Sequence, residues 1–130
     1  MDAFVQPLYE LADFDEIIRQ LKKPGIVSVS GCLDSQKAHF TNGFLREFPF
    51  RLIVAENDLK AKEFYEDFRL YDPEVLYYPA RDLIFYQADI HGNLLTRQRI
   101  QVLRALLERE EVTIVTSIDS CLDCLVPLAV

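Results

Sequence analysis

Glycine is scarce in this 130-residue chain, with four residues, and proline is little commoner, with six. So thin a supply excludes a collagen-like or low-complexity segment. Cysteines number three, an odd count that does not describe a disulfide scaffold and points instead to a reducing compartment. Long hydrophobic runs are missing. The longest apolar stretches are short pieces such as Ile26–Ser30 and Leu52–Ala55, well under the roughly 20 residues that cross a bilayer. A basic leader is missing too: the N-terminus reads MDAFVQPLYEL, with acids where an export signal needs positive charge, so the expected location is the cytoplasm. Basic residues are the minority, 14 against 21 acids, for a net charge of -7. That sign repels a phosphate backbone, and no basic stripe with interleaved stacking aromatics offsets it. Neither a membrane nor direct nucleic-acid binding is expected of this chain.

What is present is a core. Hydrophobic residues make up 50% of the chain and charged residues 27%, the balance of a globular domain, and the length suits one core better than two. Asp13 to Glu16 has the spacing of a capping box, and Phe14, Ile17, Ile18 and Leu21 recur at helical spacing until Lys22-Lys23-Pro24-Gly25 ends the pattern. Ile26–Ser30 reads as a strand, Gly31–Ser35 as a turn and Gln36–Phe44 as a helix. Arg51–Ala55 is a second strand. Asn57 or Asp58 caps a helix anchored by Leu59, Phe64 and Phe68, and Val75–Tyr78 is a third strand. Pro79–Asn93 has no clean period and reads as a long loop. A helix starting at Asn93 or Thr96 follows, with Ile100, Leu103, Leu106 and Leu107 as its buried stripe. Val112–Thr116 is a fourth strand, and Ser117 caps a last short helix that ends near Pro127. Apolar strands alternating with helices predict a three-layer α/β domain, a mostly parallel sheet with helices on both faces. The apolar end Leu125–Val130 predicts a piece of a larger multidomain protein, although a buried natural terminus has the same appearance.

One junction carries a chemical motif in eroded form. A phosphate loop has the pattern G-x-x-x-x-G-K-[ST] between a strand and a helix. The corresponding stretch is Gly31-Cys32-Leu33-Asp34-Ser35-Gln36-Lys37-Ala38. Gly31 and Lys37 stand at the right separation. Gln36 replaces the second glycine, where a side chain crowds the approach of backbone to phosphate. Ala38 replaces the hydroxyl residue that would hold magnesium, and Asp34 sets a negative charge in a turn meant to wrap an anion. These changes argue against productive ATP binding, so no cofactor, catalytic residue or metal ligand is expected. The alternative is an ordinary strand–turn–helix junction that contains Gly and Lys by chance.

Other chemistry-bearing residues have bland readings beside sharper ones. Cys121 and Cys124 have the spacing of a metal or redox pair, but the further ligands available, Cys32, His39 and His91, are scattered, and packing is the simpler role. His39 is either a helix-surface residue or one that faces an anion. His91 is a turn residue or a general base. Asp82 and Asp89 are solvated loop acids or a metal pair. Arg97, Arg99 and Arg104 form a mixed solvated face with Glu108, Glu110 and Glu111, or a contact to another domain.

The segment Tyr78-Pro79-Ala80-Arg81-Asp82-Leu83-Ile84-Phe85-Tyr86-Gln87-Ala88-Asp89-Ile90-His91-Gly92-Asn93, continuing into Leu94-Leu95-Thr96-Arg97-Gln98-Arg99, resembles the N-terminal part of bacterial transcription-repair coupling factors. The resemblance takes in the Ile26–Phe40 junction, the Arg51–Ala55 strand and the Val112–Pro127 region as well. It implies a P-loop NTPase-like, helicase-like domain that has lost ATPase function, similar to the helicase subunit of nucleotide excision repair. It also implies a supporting role in recruiting the damage-recognition ATPase, mainly through an adjoining domain, and in restraining the DNA translocase of the parent protein. RNA polymerase and double-stranded DNA would be met by later domains. The alternatives are a nucleotide-binding enzyme with an atypical phosphate loop and a stand-alone flavodoxin-like interaction domain.

Overall fold

A computed structural model of the chain describes residues 3–80 and 89–122, with side chains described to 80 and from 94. After a short 3-10 helix at Gln6–Glu10, the elements are α1 (Phe14–Leu21), α2 (Asp34–Leu45), β1 (Phe50–Ala55), α3 (Asp58–Phe68), β2 (Leu76–Tyr78), α4 (Asp89–Glu108), β3 (Val112–Ser117) and α5 (Ile118–Cys121). The three strands form one parallel sheet in the order β1-β3-β2. Parallel neighbours need crossover connections, and α3 and α4 supply them.

Residue alternation along β3 sets the layers. Val112 and Ile114 join Leu76 and Tyr78 of β2 and Val102 and Ala105 of α4 in one apolar cluster. Val115 joins Ala38 of α2, Ala61 and Phe68 of α3, and Val75 in another. Odd and even residues of a strand project to opposite faces, so α4 covers one face of β3 and α3 the other. Every residue of β3 is buried, as a central parallel strand requires. A third cluster, Val5, Leu8 and Phe14 with Ile18, Phe40 and Phe44 packed against it, fastens the N-terminal segment to α2. Gly43 permits this contact: a Cβ there would fall inside the van der Waals shell of Leu8 Cδ1 and lie 3.1 Å from Phe14 Cζ.

The mixed α/β character and the parallel sheet agree with the sequence reading, and several local expectations do not. Ile26–Ser30 is not a strand. It lies between Gly25 (φ 154°) and Gly31 (φ 86°), pairs with no described strand, and leaves Ile26 99% exposed. β-branched composition favours a strand only where a ladder partner and a packing surface exist. Asp13 does not complete a capping box: its backbone is helical (φ -97°, ψ -4°) and its side chain makes no cap bond. Glu16 instead pairs with Arg19 at 2.7 Å and accepts from Gln20. Asn57 caps α3, its Oδ1 accepting from Lys60 N–H at 2.9 Å, while of the three expected anchors Leu59 faces solvent and Phe68 alone is fully buried. The buried stripe of α4 is Arg99, Val102 and Ala105, whereas Ile100, Leu106 and Leu107 are exposed. That helix begins at Asp89, inside the stretch read as loop. Ser117 caps α5 by accepting from Ser120 N–H; the expected end near Pro127 lies outside the described residues. Among the described residues no helix is long and apolar enough to cross a membrane.

Candidate functional site

The stretch read as an eroded phosphate loop, Gly31–Ala38, leads into α2 with no described strand before it. Gly31 takes the positive φ that a tight turn needs. Leu33 is the N-cap residue, with an extended backbone. A helix start offers orphan N–H groups that favour an anion, and here the chain's own side chains engage that start. The Oε1 of Gln36 accepts from Leu33 N–H at 3.2 Å, and Gln36 N–H donates to the Leu33 carbonyl at 2.9 Å. Lys37, the residue that would reach a phosphate, donates to Asp34 Oδ1 at 2.6 Å. The hydrogen bond and charge of Lys37 hold the Asp34 carboxyl below the usual carboxylate range. Ala38 turns away from this group into the core beside Ala61 and Phe68. The structure thus brings Gly31, Gln36 and Lys37 to one helix end and places Ala38 elsewhere.

Next to this helix end is a cleft of about 670 Å³. Val29, Cys32 and α2 form one wall, and the C-terminal half of β1 with α3 forms the other. Its apolar surface comes from Phe40, Phe44, Ile53, Val54 and Phe64, and its rim carries Asp34, Glu56, Glu63 and Asp67 against Lys37 and Lys60. Both ammonium groups are already paired, Lys37 with Asp34 and Lys60 with Glu63 at 3.0 Å. Glu63 is the main cause of a Lys60 pKa above the ordinary lysine value, with Asp34 and Glu56 adding to it. The rim therefore keeps a net negative charge. Sequence reading missed this cleft, because its two walls meet only when α2 and α3 pack together.

The other candidates resolve into structural roles where their side chains are described. His39 bonds the Phe4 carbonyl and stacks on Tyr71 with ring centroids 5.5 Å apart, which ties the N-terminal segment to α2. Arg99 is no part of a solvated face. It is 7% exposed, donates to the Pro79 carbonyl at 2.8 Å and lies 4.3 Å over the Tyr78 ring. Arg104, by contrast, pairs on the surface with Glu108. Cys121 is exposed and Cys32 half-buried, both as free thiols, so Cys121 is not the packing residue expected. Among the described residues no group of three or more His, Cys, Asp or Glu could hold a metal. Cys124 and Asp82, and the side chains of Asp89 and His91, lie outside the described residues.

Tyr77 adds an electrostatic feature that sequence gave no sign of. Burial, then the neighbouring Asp58 carboxylate, pushes its phenol well above the ordinary tyrosine value, and its hydroxyl donates to the Asp58 backbone carbonyl. Asp58 Oδ1 also accepts from Ala80 N–H at 3.2 Å. These bonds fasten the start of α3 to the end of β2.

No protein-family profile matches the chain. No curated protein matches it.

Proposed function

We propose that this chain is a non-catalytic domain that works through protein contacts. In this reading it is a helicase-like piece of the N-terminal module of a transcription-repair coupling factor, with a P-loop NTPase-like ancestry. The observation that carries the proposal is the self-engaged start of α2, where Asp34 holds Lys37 and Gln36 holds the Leu33 N–H. An incoming triphosphate would have to displace both contacts, and it would then meet the carboxylate of Asp34. The resemblance of the Tyr78–Arg99 segment supplies the family and the cytoplasmic setting. It also supplies the partners: the damage-recognition ATPase through an adjoining domain, and other domains of the parent that restrain its motor.

Titration calorimetry of the chain with Mg-ATP and Mg-ADP, with thermal-shift detection beside it, tests the non-catalytic reading. The expected result is no heat and no stabilisation at millimolar nucleotide. Magnesium-dependent binding in the micromolar range that disappears in Lys37→Ala overturns it, in favour of an enzyme with an atypical phosphate loop.

A further inference from the structure

β1 is an edge strand: in the order β1-β3-β2, no described strand covers its outer side. The bond from Val112 N–H to the Pro49 carbonyl fixes which of its backbone groups are committed. In a parallel ladder the N–H and C=O of alternate residues point to the same neighbour. Arg51, Ile53 and Ala55 therefore face β3, while the N–H and C=O groups of Phe50, Leu52 and Val54 point to the open side. Natural edges are commonly blunted by proline, by charged side chains or by a bulge. β1, with the sequence FRLIVA, has no proline and no bulge, its pairing to β3 running unbroken from Phe50 to Ala55, and its one charged residue is the half-buried Arg51. Its even-numbered side chains are open as well, with Phe50 58% and Leu52 60% exposed.

The cleft described above adjoins the C-terminal half of this edge. Across it lies Val29, in the stretch Ile26–Ser30, which has the composition of a strand and pairs with no described strand. The cleft thus offers unpaired backbone groups, apolar side chains and a rim with four carboxylates against two ammonium groups already paired. Glu56 and Asp67 on that rim make no ion pair with a described cation, although Glu56 contributes to the field at Lys60.

We propose that the open edge of β1 is a docking site for an extended segment of a partner protein, apolar residues alternating with Lys or Arg, which adds to the sheet as a further strand. Main-chain bonds to Phe50, Leu52 and Val54 supply the affinity of such strand addition, and side-chain pockets supply its selectivity. The charge of the rim decides between occupants. A second copy of this chain has a net charge of -7, so it approaches the acidic rim against overall repulsion. A basic partner meets attraction in the same place. Asp34 and Lys37 of the rim belong to the phosphate-loop stretch, but the open edge of β1 and the carboxylates of Glu56 and Asp67 do not, so nucleotide binding would overturn the function proposed above without closing this edge.

The test uses the full chain and three labelled nine-residue peptides read by fluorescence anisotropy. The first alternates valine and lysine, the second valine and glutamate, and the third repeats the first with every backbone amide methylated, which keeps the charge and prevents strand pairing. The expected result is saturable binding of the first peptide only. It should be weakened about tenfold at low salt by the double substitution Glu56→Lys, Asp67→Lys, with slowed amide exchange at Phe50, Leu52 and Val54. Equal binding of the methylated peptide overturns the proposal, because attraction is then charge alone. So does a dimeric free chain in which those three amides are already protected, since the edge is then closed by a second copy.

Discussion

Gly43→Ala puts the packing of the N-terminal cluster to a quantitative test. On an exposed helix the substitution stabilises by about 1 kcal/mol, because glycine carries the larger entropy cost. Position 43 is buried in α2, and a Cβ built there overlaps Leu8 Cδ1 and crowds Phe14 Cζ and Cε2 at 3.1 and 3.2 Å. Leu8 is 4% exposed and Phe14 1% exposed, so neither has solvent to retreat into. Overpacking of that kind costs about 1–3 kcal/mol. The net expectation is a loss of about 1 kcal/mol, a fall of about 3–6 °C in melting temperature at this chain length. Urea unfolding followed by far-UV circular dichroism measures it, with an unchanged denaturant slope showing that the folded state is the one affected. Leu8→Ala alone should cost about 2–5 kcal/mol, and in that background Gly43→Ala should become stabilising, because its methyl then enters the space left by Leu8. The sign reversal is a coupling of about 1 kcal/mol or more between the two sites. A Gly43→Ala variant more stable than the parent by about 1 kcal/mol, with no coupling to Leu8, would refute the close approach of the 3-10 helix and α2.

Other outcomes follow from the same contacts. Phe68 is fully buried between α3 and β3, and Phe68→Ala should cost about 3–5 kcal/mol by urea unfolding; a loss under about 1 kcal/mol would mean that the cluster collapses around the gap. Asn57→Ala removes the side-chain cap of α3 and should cost about 1 kcal/mol, whereas Asn57→Gly should cost only a few tenths. Because the Asp34 pKa is depressed when folded, its contribution to stability is present above its ordinary value of 3.8 and is lost as the pH falls through the lower folded value. Carboxyl-carbon NMR should show Asp34 titrating below 3.8 in the parent and returning toward it in Lys37→Met; an unmoved titration would show that Lys37 is not its partner.

The proposed relation to transcription-repair coupling factors and the geometry at α2 bear on the same residues by different routes. The departures from the phosphate-loop pattern at Asp34, Gln36 and Ala38 are visible in the letters. That two of these changes act by engaging the chain's own groups is not: Asp34 takes the Lys37 ammonium and Gln36 takes a backbone N–H. Both contacts are local, spanning three residues, and they form because a helix start sets residues three apart on one face.

Elements whose signals are local were legible in advance. Arg51–Ala55, Val75–Tyr78 and Val112–Thr116 all fall within or overlap observed strands, and Asn57 and Ser117 act as caps. Ile26–Ser30 failed although its composition is no worse than theirs, because a strand is defined by a partner and the sequence does not name one. The stripe on α4 failed for a related reason. Apolar residues occupy more than one side of that helix, and only its docking on β2 and β3 selects Val102 and Ala105 over Ile100 and Leu107. Arg99 defied its charge because the Pro79 carbonyl and the Tyr78 ring meet its guanidinium in the interior, and a buried charge is tolerated when it is so engaged.

Taken by itself, the sequence determined the alternation of helices and strands from α2 onward and the parallel class of the sheet, since each depends on residues close together in the chain. Tertiary structure alone decided the strand order that leaves β1 at the edge, the cleft between α2 and α3, and the seating of Leu8 and Phe14 against Gly43. Those features join residues distant in sequence, and they are fixed by how surfaces fit and by what each element excludes from its neighbours.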